Sequence, residues 1–162
     1  MTRVHIVLGS ASDLEAVKAA GMAETFDAVG ISYAVSVCSA HRNLPELEKF
    51  ATEAVEKATE VFIAVAGMAT ALPGALAGLT GMGTPIIGVP LDEHGIDSCL
   101  YMPPGVPVLL AGVGKAGLKN AAIAAAQILA TGDQTVAEGL SKYLAAAKKP
   151  AKFNISLTES QS

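Results

Sequence analysis

From residue 61 to residue 91 the chain carries no Asp, Glu, Lys, Arg or His. That silence constrains the fold more than any other feature. A stretch so apolar has to be buried, in a protein core or in a bilayer. A membrane-spanning helix needs about 20 consecutive, predominantly apolar residues. Pro73, Pro85 and Pro90, with six glycines, cut the stretch into pieces too short for one clean helix. The pieces read instead as a buried strand (61–66), a helix of small residues and a second buried strand (85–89). Short, continuous apolar runs of this kind suit parallel strands covered on both faces.

The same alternation runs through the rest of the chain. Residues 4–8 form a short apolar run ending at Gly9, and residues 14–26 carry apolar positions at helical spacing, with Ser12 or Asp13 available as a cap. Residues 31–37 follow Gly30 as a second strand. Asn43 is then expected to cap a second helix, with Glu46 completing a capping-box-like pair. Leu44, Leu47, Phe50, Ala51, Ala54 and Val55 supply that helix's core face. Residues 105–111, entered through Met102-Pro103-Pro104, read as a fifth strand. The alanine-rich residues 116–131 imply close helix packing, with a subunit interface as one use. Asp133 caps a last helix reaching about Lys148.

Five strands alternating with helices predict a doubly wound α/β fold, a three-layer αβα sandwich around a five-stranded parallel sheet. Residues 1–150 are expected to form one domain and residues 151–162 a polar tail. In open parallel sheets, ligands bind beyond the carboxyl ends of the strands. Three loops fall there. Gly9-Ser10-Ala11-Ser12-Asp13 precedes a helix, where backbone N–H groups can face a phosphate; capping explains Ser12 and Asp13 equally well, and Ser10, in the turn itself, favours an anion. Ser39-Ala40-His41-Arg42 places a candidate proton carrier beside a candidate anion clamp. Residues 66–74, all small or apolar, let backbone approach a ligand closely or pack tightly.

A net charge of −4 without a basic cluster gives no electrostatic footprint for nucleic acid. Cys38 and Cys99 make neither metal spacing nor a disulfide framework and read as small buried thiols. Asp92-Glu93-His94-Gly95 reads as a solvated loop. The N-terminus leads directly into a strand, so no signal peptide is expected and a cytoplasmic location is the simplest reading. No metal and no cofactor is expected, and no membrane partner.

Taken together, the three loops, Met102-Pro103-Pro104-Gly105-Val106-Pro107 and Asn120-Ala121-Ala122 resemble, in order and spacing, the aminoimidazole ribonucleotide carboxylase / N5-carboxyaminoimidazole ribonucleotide mutase family of purine biosynthesis. The similarity runs from about residue 4 to residue 131. It implies a flavodoxin-like fold, a homo-octamer with active sites at subunit contacts, and a ribonucleotide substrate. It also implies chemistry that moves a carboxylate from the exocyclic nitrogen of the imidazole to ring carbon 4, through trapped carbon dioxide, without metal or ATP. By resemblance, His41 is the general acid/base, Ser10 and Arg42 address the phosphate, and Asp13 the ribose hydroxyls. Ser12, Ser39, Ala40, Ala66, Gly67, Met68, Ala71 and Leu72 complete the expected substrate contacts.

Two departures accompany the resemblance. Mutases of the family usually carry Ala-Ala-His-Leu-Pro-Gly where this chain has Ala69-Thr70-Ala71-Leu72-Pro73-Gly74, and residues 91–101 form a shorter loop. Ala71 is similar to direct, carbon dioxide-dependent carboxylases, which commonly carry Ser-Ala-His-Lys in the second loop instead. His94 is the one other loop histidine available to stand in. Further alternatives are a pyridinium carboxylase-like enzyme, which would use Cys99 to form a covalent adduct, and a non-catalytic ribonucleotide-binding scaffold.

Overall fold

A computed structural model describes residues 1–148 and residue 151; the rest of the expected polar tail lies outside the described residues. Strands β1 (Val4–Leu8), β2 (Tyr33–Val37), β3 (Val61–Ala66), β4 (Ile86–Pro90) and β5 (Leu109–Leu110) form one sheet, ordered β2-β1-β3-β4-β5. Every pairing is parallel. This is the flavodoxin-like order, whose switch point lies between β1 and β3. Between the strands run α1 (Leu14–Ala19), α2 (Met22–Val29), α3 (Leu44–Glu56), α4 (Leu72–Leu79), α5 (Ile96–Leu100), α6 (Gly114–Ala130) and α7 (Gln134–Ala147).

Strand periodicity divides the core into two layers, because successive side chains point to opposite faces. Val61, Ile63 and Val65 of β3 join Val4, Ile6 and Leu8 of β1 against α1, α2, α6 and α7. Phe62, Ala64 and Ala66 join Val7 against Leu47, Ala51 and Ala54 of α3 and Leu72, Leu76 and Ala77 of α4. All six residues of β3 are buried. Burying each of its larger side chains contributes about 1.5–3 kcal/mol. The charge-free stretch is therefore the centre of the sheet, and none of the described helices is long and apolar enough to cross a membrane.

Several local expectations need correction. The helix expected over residues 14–26 breaks at Gly21, whose φ of 72° is left-handed; it ends α1 and starts α2. That conformation is open to glycine at little cost, so the break needs no other signal. Asn43 sits at the start of α3 but makes no side-chain cap. Pro45 occupies the second helical position, where its missing N–H removes one of the donors a cap would satisfy. Leu44 and Val55 are exposed, so the core face of α3 narrows to Leu47, Ala51 and Ala54, with Phe50 half-buried against the same layer. The fifth strand shrinks to two residues paired with Ile87 and Gly88. Within the expected run Pro107 cannot donate to a sheet ladder, and Val106 instead closes a turn onto the Pro103 carbonyl. The alanines of α6 (Ala121, Ala122, Ala125 and Ala126) are consumed within the chain, packed in the core layer it shares with α2 and α7.

Asp133 caps α7 as expected, accepting from the N–H groups of Thr135 and Val136 at 3.0 and 3.2 Å. Its other oxygen receives the Arg3 guanidinium at 2.7 Å, tying α7 to the start of β1. His5, on β1, lies against Phe50 edge-on and Phe62 face-on, with Nδ1 3.0 Å from the Thr59 hydroxyl. Burial, helped by the nearby Lys57 charge, holds its pKa below the ordinary histidine value. The unfolded chain therefore binds the extra proton more readily, so this stability is complete above about pH 6.5 and is lost as pH falls through the folded-state value. Urea unfolding at pH 7.5 and 5.5 is expected to show an acid loss in the wild type that His5→Gln reduces. Equal losses in both proteins would refute this assignment.

Candidate active site

The carboxyl ends of β1, β2 and β3 deliver three loops to one cleft of about 290 Å³. The ladder continues into them: Gly9 N–H donates to the Val65 carbonyl, Cys38 N–H to Leu8 and Leu91 N–H to Ala66, each at 2.9 Å. A Cβ on Gly9 would sit 3.0 Å from that of Ala66, so the first and third loops meet in direct contact. All twelve residues expected from the sequence line this cleft. Ser10, Ser12 and Asp13 come from the first loop, and Ser39, Ala40, His41 and Arg42 from the second. Ala66, Gly67, Met68, Ala71 and Leu72 come from the third loop and the start of α4.

The first loop is a capping box on a 3-10 turn, Ala11–Asp13. Asp13 Oδ2 accepts from Ser10 N–H at 3.0 Å, and Ser10 Oγ accepts from Ser12 N–H at 3.4 Å. The cap is thus Ser10 rather than Ser12 or Asp13. Ser12 Oγ also donates to Ser10 Oγ at 2.8 Å. Ser10 Oγ accepts in both contacts, which leaves its own proton to offer a ligand. In the second loop, Asn43 N–H donates to the Ser39 carbonyl at 2.9 Å and closes the turn that carries His41 and Arg42. Both side chains are exposed at the cleft. The ion pairs among the described residues join Arg3, Lys18 and Lys57 to carboxylates and leave Arg42 out.

The third loop holds what sequence reasoning missed. Met68 and Thr70 both adopt positive φ, 55° and 40°. Thr70 lines the cleft yet is buried, its hydroxyl within 3.1–3.4 Å of the carbonyls of Ala66, Gly67 and Met68. Behind the loop, Asp92 Oδ2 accepts from Met68 N–H and Oδ1 from His94 N–H, each at 3.0 Å. Ser98 donates its hydroxyl to the Ala69 carbonyl. The segment read as solvated therefore braces the cleft wall. The sequence holds part of the signal, since an Asp whose side chain accepts from the N–H two residues on is an Asx turn. Its second oxygen's distant partner has no local signature. Small residues in the third loop serve packing: a Cβ on Gly67 would lie 3.1 Å from Asp92 Oδ2.

A profile of the AIR carboxylase family matches residues 3–150. The chain belongs to the AIR carboxylase family. It is 44% identical over 150 residues to the N5-carboxyaminoimidazole ribonucleotide mutase of Pyrococcus abyssi, covering 88% of this chain and 82% of that one. Against the enzyme of the same name from Escherichia coli K12 the figure is 42% over 147 residues, 87% and 85% covered. The crystal structure of Treponema denticola PurE superposes with a TM-score of 0.74 at 27% identity, covering 89% of this chain and 90% of that one.

Two residues raised as substitutes stand apart from this cleft. His94 does not line it. Cys99 borders a separate, shallower groove of about 540 Å³ with Leu100, Met102 and Val106, whose lining carries no charged residue. The Cys99 thiol is buried over Gly88, which pushes its pKa up to about 11. The thiolate is the nucleophile, so Cys99 is unsuited to forming a covalent adduct. Iodoacetamide at pH 7.5 is expected to modify Cys99 only after urea unfolding. Alkylation of the native protein at the rate of a free thiol would contradict this.

Proposed function

We propose that this chain is an N5-carboxyaminoimidazole ribonucleotide mutase of purine biosynthesis, forming 4-carboxy-5-aminoimidazole ribonucleotide. The observation that carries the reading is the convergence of His41, Arg42, Ser10 and Asp13 on one cleft at the sheet's switch point. The relatives that bear the mutase name over most of their length support it.

In this reading the phosphate meets Arg42 and the free proton of Ser10, and Asp13, held by the Ser10 N–H, receives the ribose hydroxyls. Ser12, Ser39 and Ala40 shape the ribonucleotide's bed, while Ala66, Gly67, Met68, Ala71 and Leu72 form the wall over the imidazole. His41 moves the proton. As the carbamate's C–N bond breaks, the exocyclic nitrogen gains a proton from the His41 imidazolium and carbon dioxide is released into the cleft. Ring carbon 4 then attacks the carbon dioxide, and His41 takes the proton that carbon 4 sheds. One proton is given and one recovered, as an isomerisation requires. Histidine is the side-chain type that both holds and gives a proton near neutral pH. The small residues Ala66, Gly67 and Ala71 leave room for carbon dioxide beside the ring, and excluding water there limits its loss.

A cleft of about 290 Å³ is at the lower limit of small-molecule pockets, about 300–1,000 Å³. That fits a site completed by a neighbouring subunit, and the proposed assembly is a cytoplasmic homo-octamer of such chains. Exposed Met82, Leu100, Tyr101 and Leu109 offer apolar surface for its contacts. Ala71 is, in this account, a tolerated replacement of the usual histidine.

The test is a spectrophotometric assay of the carboxylated product without ATP or metal. One arm supplies N5-carboxyaminoimidazole ribonucleotide, the other aminoimidazole ribonucleotide with bicarbonate. Turnover in the first arm is expected, falling roughly 10²- to 10⁴-fold in His41→Asn. Turnover confined to the second arm would assign a direct carboxylase instead. Silence in both would overturn the enzymatic reading in favour of a ribonucleotide-binding scaffold.

A further inference from the structure

The third loop adopts a conformation its own residues do not favour. Met68 and Thr70 hold positive φ without being glycine, a state that persists only where the surroundings over-determine it. Here they do so from the segment after β4. The Asp92 carboxylate spans two N–H groups, Met68 in the loop and His94 in its own turn. Ser98 holds the Ala69 carbonyl. Gly95 lies directly beneath Thr70, where a Cβ would overlap the Thr70 hydroxyl. Thr70 in turn supplies the single hydroxyl facing the Ala66, Gly67 and Met68 carbonyls.

From this arrangement we infer that Asp92 and Thr70 are positioning residues, a clamp that fixes the 66–71 wall of the cleft and so sets the geometry of the reacting end of the ligand. Neither is assigned a proton or a bond to make. Asp92 is suited to the task because both carboxylate oxygens accept. An asparagine at this position has one acceptor, and its amide N–H₂ would face a backbone N–H. Thr70 needs its hydroxyl more than its methyl group, because the hydroxyl alone reaches the three carbonyls.

The kinetic consequence rests on the mutase reading, whereas the clamp can be read in the free protein. Hydrogen exchange is measured on wild type, Asp92→Asn, Thr70→Val, Thr70→Ser and Glu93→Gln. The last removes an equal charge from the same turn without touching the loop. Asp92→Asn and Thr70→Val are expected to speed exchange at Met68 and Thr70, whose N–H groups are bonded to Asp92 and Gly67, by at least roughly tenfold, with β3 amides unchanged. In the mutase assay kcat falls roughly 10- to 100-fold, the scale of a misplaced reacting group, while KM changes little; Thr70→Ser restores both readouts. Asp92→Asn behaving like Glu93→Gln in exchange would overturn the clamp. Faster exchange with unchanged kcat would overturn the positioning role. If the wild type itself shows no turnover, the mutase reading fails, and exchange alone decides the clamp.

Discussion

Everything in this molecule depends on burying β3 completely. A six-residue strand with both faces and both edges covered demands helices above and below and parallel partners on either side. Its backbone groups are satisfied by β1 and β4, and its side chains fill both core layers. Where the strand ends, that protection stops. Ala66 gives its carbonyl to Leu91 N–H, and the chain turns at once into the loop that walls the cleft. A fully buried strand thus sets the position of the residues nearest the proposed chemistry. Chemistry that depends on sub-ångström placement benefits from such a base.

The polar groups are arranged on the two loops beside it. The first loop satisfies itself through the Ser10–Asp13 capping box, so Asp13 is fixed before a ligand arrives. The second is closed by the Asn43 N–H to Ser39 carbonyl turn and the Cys38 thiol on the Asn43 carbonyl, leaving His41 and Arg42 exposed. Asp13 is thus a preset acceptor beside two side chains, His41 and Arg42, that face the cleft with more freedom. The apolar groove around Cys99 offers no comparable chemistry.

How much of this the sequence made legible follows from where the information sits. β1 and β3 are readable to the residue, because burial on both faces leaves an apolar run, unbroken in β3 and interrupted only by His5 in β1. The placement of His41 and Arg42 after β2 is readable from composition alone: β2 is a half-exposed edge strand, and the loop begins where its β-branched run stops. The break at Gly21 was harder, since a single glycine is tolerated in many helices and only its φ decides. β5 is shorter than the 105–111 run implies, because that run keeps a strand-like composition around Pro107. The alanines of α6 signalled close packing correctly, but not that the partners were α2 and α7 of the same chain. The brace from Asp92, Gly95 and Ser98 to Met68, Thr70 and Ala69 is legible only in its local Asx turn. It depends on contacts across more than twenty residues and on positive φ at residues that ordinarily avoid it.

The central claim is that three strand-end loops form one ribonucleotide site at the β1–β3 switch point. Amide chemical-shift mapping by NMR, titrating 5-aminoimidazole ribonucleotide into the protein, tests it most directly. The account predicts saturable shifts at Ser10, Ser12, Arg42 and Gly67 together, sharing one dissociation constant. Shifts centred on Leu100, Met102 and Val106, with those three loops silent, would contradict it.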